Sequence, residues 1–140
     1  MKDTTCMYCM KNDAQKAIMT YICDLEATEL YLFNNQACKG RCIVAFKDHV
    51  NELHDLTEEQ TAAFARDMRK VGLAISKAFA PKKINYGMYN DNGTHLHCHI
   101  VPTYVGGVDF GTTFAMNPDP AVTLSDEEMK AVIDAIKANL

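Results

Sequence analysis

No apolar run in the 140-residue sequence approaches a membrane-crossing helix, which takes about 20 consecutive apolar residues. The start, Met1-Lys-Asp-Thr-Thr-Cys6, lacks the apolar stretch of a secretory leader. A cytoplasmic location with no membrane partner is therefore expected. Basic blocks are also missing: 14 Lys and Arg stand against 18 Asp and Glu, for a formal charge of −4. That balance argues against a polynucleotide partner, whose binding depends on clustered cations that release counterions. A mononucleotide or dinucleotide is not excluded, because one or two phosphates need only local donors. Lys82-Lys83 reads as a solvated loop. Internal repeats, low-complexity tracts and linkers are lacking too, so residues 1–140 are expected to form a single domain. At 48% hydrophobic and 23% charged residues, such a chain buries a core without staples. Without a secretory leader, the six cysteines are thiols or metal ligands, not a disulfide framework.

What the sequence does contain is concentrated in Asn92-Gly-Thr-His95-Leu-His97-Cys-His99-Ile-Val-Pro102. Histidines recur at every second position with apolar residues between them. Side chains alternate along a strand, so His95, His97 and His99 share one face, and Leu96, Cys98 and Ile100 face a core. Rings two positions apart stand about 6.6 Å from each other along the backbone, close enough to serve one phosphate. Three imidazoles on one face point to metal binding, proton handling or phosphorus chemistry.

The surrounding pattern predicts an α+β domain. A short helix is expected around residues 13–20 and a strand over 21–25, hairpin-paired with a strand over 29–33. Residues 42–46 are apolar enough for a central strand. Thr57-Glu-Glu-Gln60 has the form of a capping box, and Phe64, Met68, Val71, Ile75 and Phe79 then recur at helical spacing. Strands over 84–89 and 95–101 flank the turn Asn90-Asp-Asn-Gly93, as an antiparallel hairpin. Ser125-Asp-Glu-Glu128 is a second capping box, with Leu124 set to staple onto Met129, and Val132, Ile133, Ile136 and Leu140 continue the apolar face. The irregular segment 111–118 is expected to close over the site. The sum is an antiparallel β-sheet with one long central helix packed on it and a C-terminal helix.

The pattern of histidine, apolar residue, histidine, apolar residue, histidine and two apolar residues resembles the signature of the histidine triad family of nucleotide hydrolases and transferases. Gly40-Arg-Cys-Ile-Val-Ala-Phe-Lys-Asp-His49, Asn85-Tyr-Gly87 and Cys6-Met-Tyr-Cys9 are similar to further elements of that family, so the likeness spans residues 4–117. It implies the same fold, usually as a homodimer. It also implies a hydrolase acting on a nucleoside phosphate bond, in a phosphoramidate, an acyl-nucleotide or a dinucleoside polyphosphate. In the family the middle histidine, matched by His97, is the nucleophile that forms a nucleotidyl intermediate. His99 would contact the phosphate and offset developing charge. Asn85 matches a nucleotide-contacting asparagine of the family, and Asn92, Gly93 and Thr94 beside the triad are the other expected substrate contacts, for a purine nucleotide or nucleotide conjugate. The turn 90–93 is also able to present backbone N–H groups to a phosphate as a nest. The alternative is a nucleotide-binding or sensing protein on the same scaffold, with little turnover.

Cys6 and Cys9 alone are ambiguous between zinc, redox activity and chance. In zinc-containing members, the residues matched by His49 and His95 complete a closed set of four, implying structural zinc. A competing metal reading uses the three triad histidines as an open catalytic site. His54 is expected to be an exposed loop residue. The sequence departs from the family at Asp91 and Asn92, where many members have glutamine and a hydroxyl residue. It also has Arg41 where several have histidine, and no clear acidic ribose ligand near residues 33–35.

Overall fold

The computed structural model describes residues 2–140. The chain runs α1 (Met7–Met10), α2 (Asp13–Ile18), β1 (Met19–Asp24), β2 (Thr28–Phe33), β3 (Cys42–Phe46), a single 3₁₀ turn (Leu53–Asp55), α3 (Glu58–Phe79), β4 (Lys83–Gly87), β5 (His97–Thr103) and α4 (Asp126–Lys137). The five strands form one antiparallel sheet in the order β1-β2-β3-β5-β4. This is the expected α+β architecture, with β3 at its centre.

Both faces of the inner strands are covered, and the alternation along each strand assigns its residues. Leu30, Leu32, Cys42, Val44, Phe46, Cys98 and Ile100 face α3 and α4, where they meet Phe64, Val71, Ala74, Ile75, Val132 and Ile136. Tyr31, Phe33, Ile43 and Ala45 face the other way, against Tyr8 and Met19. His97 pairs with Ala45 and His99 with Ile43, which puts both histidines on this second face. Cys42 and Cys98 are small buried members of the main core, as expected of thiols on the core side of their strands.

Two capping boxes set the helix starts: Thr57 with Gln60 on α3, and Ser125 with Glu128 on α4. Each satisfies two orphan backbone donors reciprocally. Leu124 and Met129 both pack on the main core. Among the described residues, no helix is long and apolar enough to cross a membrane.

The differences from expectation lie at element ends. The first strand starts at Met19, not Tyr21, because Asn12 caps α2 and the helix lasts only to Ile18. The fourth strand is Lys83–Gly87, and β5 begins at His97, so residues 88–96 form a long connection in place of a tight turn. Leu96 lies outside the strand, yet its backbone donates to Val50 and accepts from Phe46. That tether draws the preceding His95 toward the loop after β3.

Candidate active site and metal cluster

His97 and His99 stand with ring centroids 5.4 Å apart on β5. Together with Met7, Tyr8, Phe33, Ile43, Tyr89, Asp91, Asn92, Gly93, Met116 and Asn117, among others, they line a cavity of about 320 Å³. That volume falls in the range of small-ligand pockets. Its walls are largely apolar, and its polar residues are the two histidines, Asp91, Asn92, Asn117 and the tyrosines Tyr8 and Tyr89.

The His97 ring is oriented by backbone. Its Nδ1 lies 2.7 Å from the carbonyl oxygen of His95. A carbonyl only accepts, so Nδ1 carries the proton and Nε2 keeps its lone pair. Burial holds the imidazole below its ordinary pKa, in the neutral form. His99 is held differently. Its Nδ1 lies 3.1 Å from Nη2 of Arg41, and its ring meets Phe33 edge-on at 5.9 Å and Phe114 at 6.2 Å. Burial, the Arg41 charge and then His97 push its pKa down to about 3.

The segment expected to close over the site does so. Phe114, Met116 and Asn117 reach the His99 side, and Arg41 donates to the carbonyls of Ala115 and Met116 at 3.0 and 3.1 Å. Gly87 makes room for this: a Cβ there would lie 2.6 Å from the Phe114 ring and 2.7 Å from that of Tyr89. Arg41, seen in the sequence only as a departure from a family pattern, is a fully buried part of the site.

The four residues singled out as metal ligands meet. The ligand atoms of Cys6, Cys9, His49 and His95 all lie within 4.8 Å of one another. His95 Nδ1 is 3.5 Å from Cys6 Sγ and 3.7 Å from Cys9 Sγ, and His49 Nδ1 is 3.3 Å from Cys9 Sγ. Ligands of one tetrahedral ion, with metal–sulfur and metal–nitrogen bonds of about 2.3 and 2.0 Å, stand about 3.5 Å apart. The donor set therefore fits a small tetrahedral cation. His95 Nε2 donates to the Phe46 carbonyl at 2.7 Å, which leaves Nδ1 unprotonated toward the thiols. His95 thus turns to this cluster and His97 and His99 to the cavity, so the three rings do not converge as one open metal site. Tyr8 lies 5.1 Å from both the His95 and His97 rings and links the two places.

Of the expected substrate contacts, Asn92 and Gly93 line the cavity, with the exposed Thr94 next to them. Asn85 pairs with Val101 on the His99 face of the sheet but does not line that cavity. His54 is exposed on its 3₁₀ turn, as expected.

Known proteins share this fold and sequence pattern. The chain is 29% identical to the Protein hit of Bacillus subtilis, over 64% of this chain and 65% of that protein, just under two thirds of its length. It is 28% identical to the adenosine 5'-monophosphoramidase hnt1 of Schizosaccharomyces pombe, over 73% of this chain and 74% of that one. Among solved structures, a histidine triad protein of Sinorhizobium meliloti superposes with a TM-score of 0.84 at 20% identity, covering 92% of this chain and 95% of that one. A zinc-bound histidine triad family protein of Mycobacterium smegmatis does so with a TM-score of 0.68 at 19% identity, covering 96% and 94%. The HIT domain family model matches residues 14–106, and the chain belongs to that family.

Proposed function

We propose that this protein is a nucleotide hydrolase that cleaves the bond between the α-phosphorus of a purine nucleotide and its leaving group, using His97 as nucleophile. The observation that carries this reading is the 2.7 Å hydrogen bond from His97 Nδ1 to the His95 carbonyl, which leaves Nε2 as a lone pair beside the cavity. In the first step Nε2 attacks phosphorus, the N–P bond forms and the leaving group departs with the bonding pair, taking a proton from solvent. In the second, water attacks phosphorus and gives up a proton to solvent, the Nε2–P bond breaks with its electron pair returning to the ring, and neutral His97 is regenerated with the nucleotide released. His99, Asn92, Gly93 and Thr94 are the proposed phosphate contacts, and Asn85 a more distant nucleotide contact. Met7, Phe33 and Ile43 offer an apolar wall for the base. The phosphoramidase activity in the name of the fission yeast relative makes adenosine 5'-phosphoramidate the first substrate to try.

The test is rapid quenching with that substrate. One acid-labile adenylyl group per chain is expected on His97. His97→Ala should lose turnover by about 10³-fold or more while nucleotide affinity stays within a few fold, since the lost interaction belongs to the transition state. Full activity of His97→Ala would overturn the mechanism. A second reading, nucleotide binding with little turnover, is favoured by Asp91, which lines the same cavity and whose carboxylate disfavours a phosphate unless turned away. Saturable binding without a trapped intermediate would decide for it.

Zinc is the proposed occupant of the Cys6, Cys9, His49 and His95 cluster, supported by its donor spacing and by the zinc-bound mycobacterial neighbour. Its role there is structural, because four protein ligands leave no open position.

A further inference from the structure

Arg41 is buried without a salt-bridge partner, and the acidic group that bears on it, Asp109, stays beyond ion-pair distance. The side chain is 0% exposed, and among the described residues it forms no salt bridge. Its Nε has no hydrogen-bond partner. The guanidinium lies 4.1 Å over the Phe33 ring and 5.1 Å from that of Phe114. Nη1 is committed to the Ala115 carbonyl, and Nη2 divides between the Met116 carbonyl and His99 Nδ1. A buried charge without a counter-ion is costly, so its place beside the triad calls for a chemical reason.

That reason lies in what a guanidinium is unable to do. It has only N–H donors and no lone pair to offer. His99 Nδ1 must therefore be the acceptor, and the proton of the neutral ring sits on Nε2. Protonating Nδ1 would set N–H against N–H in a buried place. His97 is fixed the opposite way, with its proton on Nδ1. The two rings along the cavity are thus complementary, one offering a lone pair and the other a proton.

We propose that Arg41 is a positioning residue that locks His99 as a neutral Nε2–H donor and, through its buried positive charge, polarises that N–H toward a phosphoryl oxygen. A carboxylate behind an imidazole makes the ring more basic; a guanidinium behind it makes the remaining N–H a stronger donor. The donor is preorganised on a buried ring, where aiming at developing negative charge counts most. His99 then acts as an electrophile that stays neutral throughout the cycle. The groups that bear on its charge are Arg41 just before β3, itself influenced by Cys38 and Asp109, His97 from β5, and Tyr8, Tyr89 and Asp91 around the cavity. The role in turnover rests on the hydrolase reading above; the lock on the tautomer does not.

Nitrogen-15 NMR of histidine-labelled, full-length wild-type protein tests the lock without any turnover. His99 should show a protonated Nε2 and a lone-pair Nδ1, unchanged from pH 7.5 to about 5, well below the ordinary imidazole range. Arg41→Met should release it into a tautomer mixture that titrates, and Arg41→Lys should restore the Nε2–H form. An Nδ1–H tautomer or an imidazolium in the wild type near pH 6 would overturn the assignment, as would an Arg41→Met spectrum identical to wild type. The wild-type spectrum decides even where a variant fails to fold. With adenosine 5'-phosphoramidate, Arg41→Met should lower kcat by about 100-fold with KM within a few fold, the usual loss for one preorganised donor. Arg41→Lys should recover part of it. An unchanged kcat in Arg41→Met would overturn the polarising role. Absence of wild-type turnover would instead remove the hydrolase reading and leave the tautomer result standing.

Discussion

A neutral imidazole has one proton for two nitrogens, so its chemistry follows from whatever the engaged nitrogen faces. Here a backbone carbonyl decides the matter for His97 and Arg41 decides it for His99. The energetics follow from the same contacts. His99 is held neutral down to about 3 against an ordinary 6.5, first by burial and then by Arg41. Between those values the unfolded chain binds a proton at His99 that the folded chain refuses. Stability therefore rises with pH across the window, is complete above about 6.5, and is lost as pH falls toward about 3. The melting temperature should drop as solutions are taken from pH 7 to pH 5. His99→Phe, which keeps a ring and removes the titration, should flatten that slope; equal slopes in the two proteins would refute the assignment. The sequence announced the shared face of His97 and His99 through simple alternation, whereas His95, outside β5, turns to the cysteines. It did not announce their tautomers, because these depend on a carbonyl and a guanidinium that only the folded register supplies.

At the scale of elements, periodicity and caps were legible because their causes are local. The stripe Phe64, Met68, Val71, Ile75 and Phe79 and both capping boxes lie where their spacing puts them. Asp67 was not legible as a contact, although it falls within that stripe. It is buried on α3, where it accepts from the backbone of Glu26, Ala27 and Thr28 at 3.2, 2.8 and 3.0 Å and from the Thr28 hydroxyl at 2.9 Å. One carboxylate thus pins the β1–β2 turn to the long helix, a long-range contact that no local window contains. Charged hydrogen bonds of this kind are worth about 1.5–3 kcal/mol each, and removing the acceptor leaves the donors stranded. Asp67→Ala should destabilise the fold by about 3 kcal/mol, whereas Thr57→Ala, which removes a cap, should cost about 1 kcal/mol. Denaturant unfolding that ranks the two in the opposite order would reject the anchor. The loop 88–96 escaped the sequence reading for a related reason: its path is set by Leu96 bonding to Val50 and Phe46, not by turn residues.

The whole molecule is tied together at its N-terminal end. Cys6 is the N-cap of α1 and Cys9 lies within it, while His49 follows β3 and His95 precedes β5. One ion on these four side chains would join three regions distant in sequence. Its binding energy would then be folding energy, because the unfolded chain has no such cage. The same turn carries Met7 and Tyr8, which line the cavity, and Tyr8 packs on the rings of His95 and His97. The Cys/His cluster and the cavity therefore share a wall. Cys9→Ser should release zinc and lower the melting temperature. It should also raise KM for a nucleotide by more than it lowers kcat, because Tyr8 and Met7 lose their anchor while His97 keeps its bond to the His95 carbonyl. Chelation of the wild type should reproduce both effects, and added zinc should reverse them for the wild type alone. Elemental analysis of tag-free protein without bound metal would remove the zinc assignment. A normal KM in a metal-depleted chain would show that the cluster supports the fold without shaping the site.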